Sequence, residues 1–333
     1  MPEINLRYLS GLDVDALDLT CDEILVSIEA SLAAQGRKET VVEPRMHLVA
    51  DKAFRGHFNV LRGYIAPLEV AGIKVVSDYI DNWERGLPSE MGLVNLFDAQ
   101  TGTPRAVVDA TAITEMRTGA VTAIGAKYLA PSKPRVLGHI GARGTAYWNV
   151  RLLDHLFDFE EIRVHSRRPE SRNAFGERLS QDLGKPVVVT EDWQSCLEGA
   201  DILVEASRLD AAQPLFKTSW IKPGALVVPY GTISTVEDDI TDIMTKIVVD
   251  DWGQCLIGPF GCLRRHIDGG KVTQESIHGE LGQICAGLLP GRENDDETIL
   301  LWHRGLSTSD IALAYAMIEK AERLGIGHTL PYA

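Results

Sequence analysis

Val136-Leu137-Gly138-His139-Ile140-Gly141-Ala142-Arg143-Gly144-Thr145-Ala146-Tyr147-Trp148 is the stretch whose reading decides the fold. RVLGHIG (135–141) predicts a short buried strand, and TAYWNVRLLDHLF (145–157) predicts a helix. Between them Gly141-Ala142-Arg143-Gly144-Thr145-Ala146 makes a tight turn. Glycines there let the backbone approach a pyrophosphate, and the helix start supplies N–H groups at the positive end of its dipole. A glycine cluster alone is weak, because strand-to-helix turns often carry glycine. The context strengthens it: a buried strand before, a helix after, and a second strand about 20 residues on. These six residues are candidate dinucleotide contacts, and a purely structural turn is the alternative. Arg143 stands where the G-x-G-x-x-G pattern has its middle glycine. It either closes the turn or donates to a phosphate, and the second reading is favoured.

Further along, strands and helices alternate. EEIRVHS (160–166), PVVVT (186–190), ADILVEAS (200–207), GALVVPYG (224–231) and KIVVDD (246–251) read as strands. PESRNAFGERLSQDL (169–183) and DWQSCLEG (192–199) read as helices. This spacing builds right-handed βαβ units and a parallel sheet. IHGELGQICAGLLP (277–290) also reads as helix-like. At the end of the second strand stand His165-Ser166-Arg167-Arg168, where NAD-preferring folds place a carboxylate for the ribose. Nothing there repels a 2′-phosphate, and two guanidiniums can hold one. NADP is therefore expected over NAD, with Ser166, Arg167 and Arg168 as contacts; stacking of either arginine on adenine serves both cofactors. Ser207, closing ADILVEAS, joins the cofactor-contact set.

Before this region, residues 21–35 have helical apolar spacing. HFNVLRGYI (57–65) and GIKVVSDYI (72–80) read as strands with Ala66-Pro67 in the connection, and residues 91–110 read as a hairpin turning at AQTGTP. A long helix covers 110–130, and an amphipathic helix covers 307–327. The expected fold is α/β: a Rossmann-type parallel-sheet domain at 121–306, inserted into a discontinuous α+β domain of 1–120 plus 307–333.

Composition is ordinary for a globular chain of 333 residues, 45% apolar and 24% charged. A net charge of −14 argues against nucleic-acid binding. No run approaches the roughly 18 apolar residues of a membrane span. The first residues lack a signal-peptide pattern. The five cysteines are odd in number, scattered and without CxxC, so reduced thiols in a cytoplasmic protein are expected. The nine histidines show no metal-binding spacing, and no metal is expected.

The sequence resembles the ornithine cyclodeaminase/mu-crystallin family across nearly its whole length. The likeness lies in Glu43-Pro44-Arg45, Gly72-Ile73-Lys74-Val75-Val76-Ser77, Gly86-Leu87-Pro88-Ser89 and Leu96-Phe97-Asp98-Ala99-Gln100-Thr101-Gly102. It continues in Thr114-Glu115-Met116-Arg117-Thr118-Gly119-Ala120, the glycine turn, Pro290-Gly291-Arg292 and Asp295-Asp296-Glu297. The resemblance implies a homodimer of two-domain subunits with bound NAD(P). It also implies that Arg45, Lys74 and Arg117 hold a substrate carboxylate beside the nicotinamide, with Thr118 among the cofactor contacts. The residue types suit the role, since arginine offers a bidentate fork and lysine a point charge. Lys74 sits inside an apolar strand, where a charge needs a partner. Structural salt bridges are the alternative for each.

Two departures matter. The family's catalytic aspartate of cyclodeaminases aligns with Ile233, which neither binds an ammonium nor accepts a proton, so cyclisation is not expected. Arg62 replaces a proline usual in the family, and an extra guanidinium suggests a second substrate carboxylate; the alternative points it to solvent or a dimer interface. His57 and Asn59 fall on the opposite face of that strand by alternation. The expected activity is NAD(P)H-dependent reduction of a small α-imino acid to an L-amino acid, with iminosuccinate as one candidate. Lys74 is the expected proton source and Asp310 its orienting partner, unless Asp310 caps the last helix. His303 and Arg304 stand where the family more often has Lys-Ser, and their role is open. The competing functions are a cyclodeaminase or ammonia-lyase using NAD catalytically, and a non-enzymatic mu-crystallin-like binding protein.

Overall fold

The computed structural model describes residues 3–209, 211–258 and 260–333. They form two compact units, Met1–Arg117 with Leu306–Ala333, and Thr118–Gly305.

The first unit contains strands β1 (Asn5–Leu9), β2 (Thr40–Val42), β3 (Met46–Leu48), β4 (Gly56–Ile65), β5 (Val70–Tyr79), β6 (Glu90–Asp98) and β7 (Pro104–Asp109). With the C-terminal strand His328–Pro331 they form one sheet, ordered C-terminal strand, β1, β7, β6, β5, β4, β2, with β3 also on β4. Helices α1 (Gly11–Ala16) and α2 (Cys21–Gly36) and the C-terminal helix Ser307–Leu324 complete the unit.

Strict alternation governs β5: Val70, Gly72, Lys74 and Val76 are buried, while Ile73 is exposed. The C-terminal helix packs on the buried face at a glycine pair, Gly63 of β4 opposite Gly72 of β5. A Cβ at Gly63 would lie 2.7 Å from Ser307 Oγ, and one at Gly72 2.7 Å from Ile311 Cγ1. Ser307 Oγ also donates to the Arg62 carbonyl at 2.7 Å. The missing side chains let the helix sit close to the sheet, which sets the height of Asp310 above β5.

The second unit holds eight strands: β8 (Val136–Ile140), β9 (Glu161–His165), β10 (Val188–Val189), β11 (Ile202–Glu205), β12 (Leu226–Pro229), β13 (Lys246–Val249), β14 (Gly279–Glu280) and β15 (Ile299–Trp302). Their order is β10-β9-β8-β11-β12-β15-β13-β14, and every pairing is parallel. β8, β11, β12, β13 and β15 are buried almost throughout, as a parallel sheet covered on both faces requires. Helix α3 (Thr111–Leu129) crosses from the first unit into the second, and α4 (Ala146–Phe157) and α5 (Pro169–Leu183) follow β8 and β9. This is a Rossmann-type sheet. The chain runs from β8 to β9 and β10 on one side, then returns to β11 and β12 on the other. The crevice beyond the C-terminal ends of β8 and β11 is therefore the topological switch point, where such folds bind ligands.

Two details differ from the sequence reading. The helix-like stretch 277–290 is helical only at Leu281–Cys285, with Gly279 and Gly287 at positive φ on either side. Ile299–Trp302, which carries no alternation, is a central strand between β12 and β13. Among the described residues no helix is long and apolar enough to cross a membrane. All five cysteines are free.

Candidate functional site

Lys74 enters the core of the first unit from the middle of β5, its side chain 1% exposed. Its Nζ donates to Asp310 Oδ1 at 2.7 Å and to Thr114 Oγ1 at 2.6 Å. Arg117 Nε donates to the same Asp310 oxygen at 3.0 Å. Three elements thus meet, β5, α3 and the C-terminal helix. Asp310 does not cap its helix, because both hydrogen bonds to its carboxylate come from the two cations and Oδ2 has no hydrogen-bond partner. Burial alone would raise the Asp310 carboxyl, but Arg117 and Lys74 outweigh that and hold it below the usual carboxylate range. Burial pushes the Lys74 ammonium down, Asp310 offsets part of this, and the Arg117 charge adds to it. Two cations share one carboxylate, so the cluster carries a surplus positive charge and a lysine whose proton is loosened.

The structure does not bring Arg62 into this group. Leu61 is the cross-strand partner of Lys74, and Arg62 pairs with Ile73. Cross-strand partners share a face, so Arg62 points away from Lys74. Its guanidinium lies 3.6 Å from Glu43, with both side chains well exposed. The expected grouping of Arg62 with Lys74 fails on register alone. His57 and Asn59 lie on the Lys74 face, linked to each other at 3.2 Å. Arg45 lies between the pairs Val42–Gly63 and Met46–Val60, where Glu43, Pro44 and Arg45 span only Leu61 and Arg62. This one-residue bulge keeps Arg45 level with the β4 residues that flank Lys74. Arg45 is half-buried.

In the second unit the candidate cofactor residues gather at the ends of neighbouring strands. Gly141 to Ala146 follow β8, Ser166 to Arg168 follow β9, and Ser207 follows β11. Gly141 N–H donates to the His165 carbonyl at 2.8 Å, joining the first two groups. Gly141 has φ 115°, and a Cβ there would lie 2.9 Å from the Ala206 carbonyl oxygen. The turn thus needs glycine for both conformation and space. Helix α4 has no carboxylate in its first turn and no side-chain cap. Its N–H groups are left for an anion. Arg143 is exposed and leans to Ser171 Oγ at 3.4 Å. Arg167 and Arg168 are exposed and make no ion pair among the described residues. Thr118 is buried on α3, its carbonyl accepting from Thr122 Oγ1 at 3.4 Å.

Sequence reasoning missed Glu205, a fully buried carboxyl at the switch-point end of β11. Its Oε1 accepts from Ser207 N–H at 2.7 Å, and burial pushes its pKa up to about 7. The signal was present, since an acid inside ADILVEAS is as anomalous as Lys74 inside GIKVVS. The carboxylates nearest Ile233 are committed elsewhere. Glu237 pairs with Lys217 at 2.9 Å, Asp238 with Arg265, and Asp239 accepts from Thr218 Oγ1 at 2.5 Å.

A Rossmann-type unit with an open glycine turn, together with an α+β unit carrying a buried cation cluster, defines a two-unit nucleotide-binding protein. The chain belongs to the ornithine cyclodeaminase/mu-crystallin family, whose model matches residues 9–324. A curated relative, the alanine dehydrogenase of Archaeoglobus fulgidus, is 29% identical over 325 residues, 96% of each chain. The solved structure of Thermococcus litoralis Delta(1)-pyrroline-2-carboxylate reductase, in complex with NADH and L-proline, is 29% identical. It superposes with a TM-score of 0.90 over 97% of this chain and 99% of that one. An archaeal alanine dehydrogenase dimer with bound NAD is 27% identical, with a TM-score of 0.90 over 99% and 100%.

Proposed function

We propose that this protein is an NAD(P)H-dependent reductase that converts a small α-imino acid to an L-amino acid. The observation that carries the reading is the buried trio Lys74, Asp310 and Arg117, two cations on one carboxylate. The similar proteins act as an amino-acid dehydrogenase and an imine reductase, and two of the solved ones hold NAD or NADH. The glycine turn and the uncapped start of α4 suit a dinucleotide pyrophosphate. The nicotinamide, when bound, supplies the hydride to the imine carbon.

The chain's own residues do the rest. Arg117 and Arg45 offer planar forks to the substrate carboxylate, and Lys74 adds its charge. Fixing that carboxylate orients the imine carbon, and orientation supplies much of the rate. Lys74 holds the proton that the imine nitrogen needs, and its loosened ammonium suits it to give that proton up. Asp310 keeps both cations in place. Ile233 in place of an aspartate leaves ornithine cyclisation without its acidic residue. Arg62 lies outside the trio, so a second substrate carboxylate finds no ligand there. This favours small monocarboxylic or cyclic imino acids over iminosuccinate.

The decisive experiment is an NADH and NADPH oxidation screen. It covers pyruvate, glyoxylate and oxaloacetate, each with and without ammonia, and cyclic imines. Consumption of cofactor in step with imine is expected; turnover without net cofactor oxidation would exclude the reading. NADPH is the preferred donor because the end of β9 presents Ser166, Arg167 and Arg168 and no carboxylate. Replacing both arginines by alanine should raise the KM for NADPH about tenfold and leave that for NADH within about twofold. Equal changes for both cofactors would show that the arginines do not read the 2′-phosphate.

The protein works as a homodimer in the cytoplasm. The outer face of the first unit's sheet carries Met46, Leu48, Ile73 and Leu93, all exposed and apolar. Register puts Met46 level with Val60, Val75 and Leu93 across four strands. An apolar face of this kind calls for a partner surface. Light scattering should give twice the chain mass, and Leu93→Lys should yield monomers.

A further inference from the structure

Thr145 precedes helix α4 without capping it. Its Oγ1 lies instead 2.7 Å from Tyr230 Oη, 85 residues on and just past β12. Asn149, one helical turn after Thr145, donates through Nδ2 to the Thr145 carbonyl at 2.9 Å and to Tyr230 Oη at 2.8 Å. A carbonyl only accepts, so that bond fixes which end of the amide faces the pair. The Tyr230 ring stacks on His303, centroids 4.7 Å apart and planes 27° apart. His303 is buried, and its Nε2 lies 3.0 Å from Thr122 Oγ1 on α3. Every residue from Thr145 to Thr122 in this chain of contacts is neutral or a histidine, and all lie in the Rossmann-type unit.

Proton counting gives the arrangement a direction. Asn149 puts a hydrogen into the Tyr230 oxygen. When Tyr230 O–H then donates to Thr145 Oγ1, the Thr145 hydrogen turns outward, over the glycine turn and the uncapped N–H groups of α4. Bonds in such a chain also polarise one another in the same sense. We infer that Tyr230 is a positioning residue for the cofactor: held by Asn149 and the His303 stack, it fixes the Thr145 hydroxyl as a donor to the dinucleotide pyrophosphate. The inference rests on the dinucleotide reading of this unit and adds to it residues that no spacing in the sequence connects.

The test uses the full-length protein and NADH binding followed by cofactor fluorescence. Tyr230→Phe keeps the ring and its stack and removes only the hydroxyl. It should raise the NADH Kd about tenfold, the worth of one charge-assisted hydrogen bond. The KM for NADH should rise in parallel, while the KM for the imino acid and the melting temperature of the cofactor-free protein stay unchanged. Thr145→Val should lose as much, Thr145→Ser should retain tight binding, and the Tyr230→Phe/Thr145→Val double variant should bind no worse than Thr145→Val alone. The inference is overturned if Tyr230→Phe leaves NADH binding unchanged, if the two losses multiply, or if the KM values for both substrates rise together. Failure of the unaltered protein to bind NADH would remove the dinucleotide reading itself, and this inference with it.

Discussion

Lys74 Nζ lies 2.7 Å from Asp310 Oδ1 across 236 residues of sequence, with both side chains closed to solvent. A buried ion pair is not in itself a stabilising device, because desolvating two charges offsets most of their attraction. Removing one partner is another matter. Asp310→Asn keeps the shape and leaves Lys74 and Arg117 with no counter-charge. It should cost about 3–5 kcal/mol in urea unfolding. Adding Lys74→Met should recover part of that stability while turnover stays lost. If Asp310→Asn unfolds at the same urea concentration as the unaltered protein, the trio is not the tight cluster its distances describe.

Arg117 and Arg62 separate recognition from proximity in sequence. Arg117→Ala should lower kcat/KM by about two orders of magnitude or more, the scale of a lost charge-assisted clamp. Arg117→Lys should not restore it, because a point charge cannot replace a planar fork. Arg62 stands on the opposite face of the sheet. Arg62→Ala should therefore change kcat/KM by less than about threefold, an exposed ion pair being worth little. The change should be equal for monocarboxylic and dicarboxylic substrates. A selective loss with a dicarboxylate would put Arg62 back in contact with substrate.

The legibility of this protein was uneven, for physical reasons. The glycine turn, the β4–β5 and β6–β7 pairings and the helix at 111–129 follow from short-range rules: period, turn chemistry and caps. Ile299–Trp302 was hidden because a strand buried on both faces shows no alternation, only a short apolar run. The 277–290 stretch has helical spacing, but glycines at 279 and 287 cut it to one turn. In the candidate site, Lys74 announced itself as a charge in an apolar strand, and Arg62 looked similar. What told them apart was parity: Arg62 pairs with Ile73, one residue out of step with Lys74. Alternation within one strand could exclude His57 and Asn59 from the Arg62 face, but only cross-strand register could say which face held Lys74. Tyr230, Asn149 and His303 left no local signal, because their contacts span up to 81 residues.

Glu205 predicts a pH dependence of stability with a definite sign. Its pKa rises from the ordinary 4.5 to about 7 because burial disfavours the charged form. Between those values the folded protein binds the proton more tightly than the unfolded chain does. The stability this contributes is therefore fully present below pH 4.5 and is lost as pH rises through 7. The full loss is about 3 kcal/mol at 1.36 kcal/mol per pH unit. The neighbouring Cys262 thiol is pushed up by burial and by Glu205, so it does not titrate in this window. Glu205→Gln cannot ionise. Its stability relative to the unaltered protein should grow by roughly 3 kcal/mol between pH 5 and pH 8 in urea unfolding. A difference that stays flat with pH would mean that Glu205 is ionised in the fold throughout.

Gly72 connects the packing of the first unit to its chemistry. It faces the C-terminal helix one alternate position before Lys74 on β5, and its added Cβ would lie 2.7 Å from Ile311 Cγ1. Ile311 is fully buried in the turn that also carries Asp310, so it cannot swing away without moving that turn. Overpacking of this kind costs about 1–3 kcal/mol. Gly72→Ala should show that loss, yet still fold at moderate temperature. The larger effect should be on turnover, because lifting the helix by a fraction of an ångström lengthens the Lys74–Asp310 contact and frees the ammonium from its orienting carboxylate. A fall in kcat of about tenfold or more, with little change in the NADH KM, is expected. A Gly72→Ala protein that loses stability but keeps full kcat would show that the helix height does not set the geometry of the cation trio.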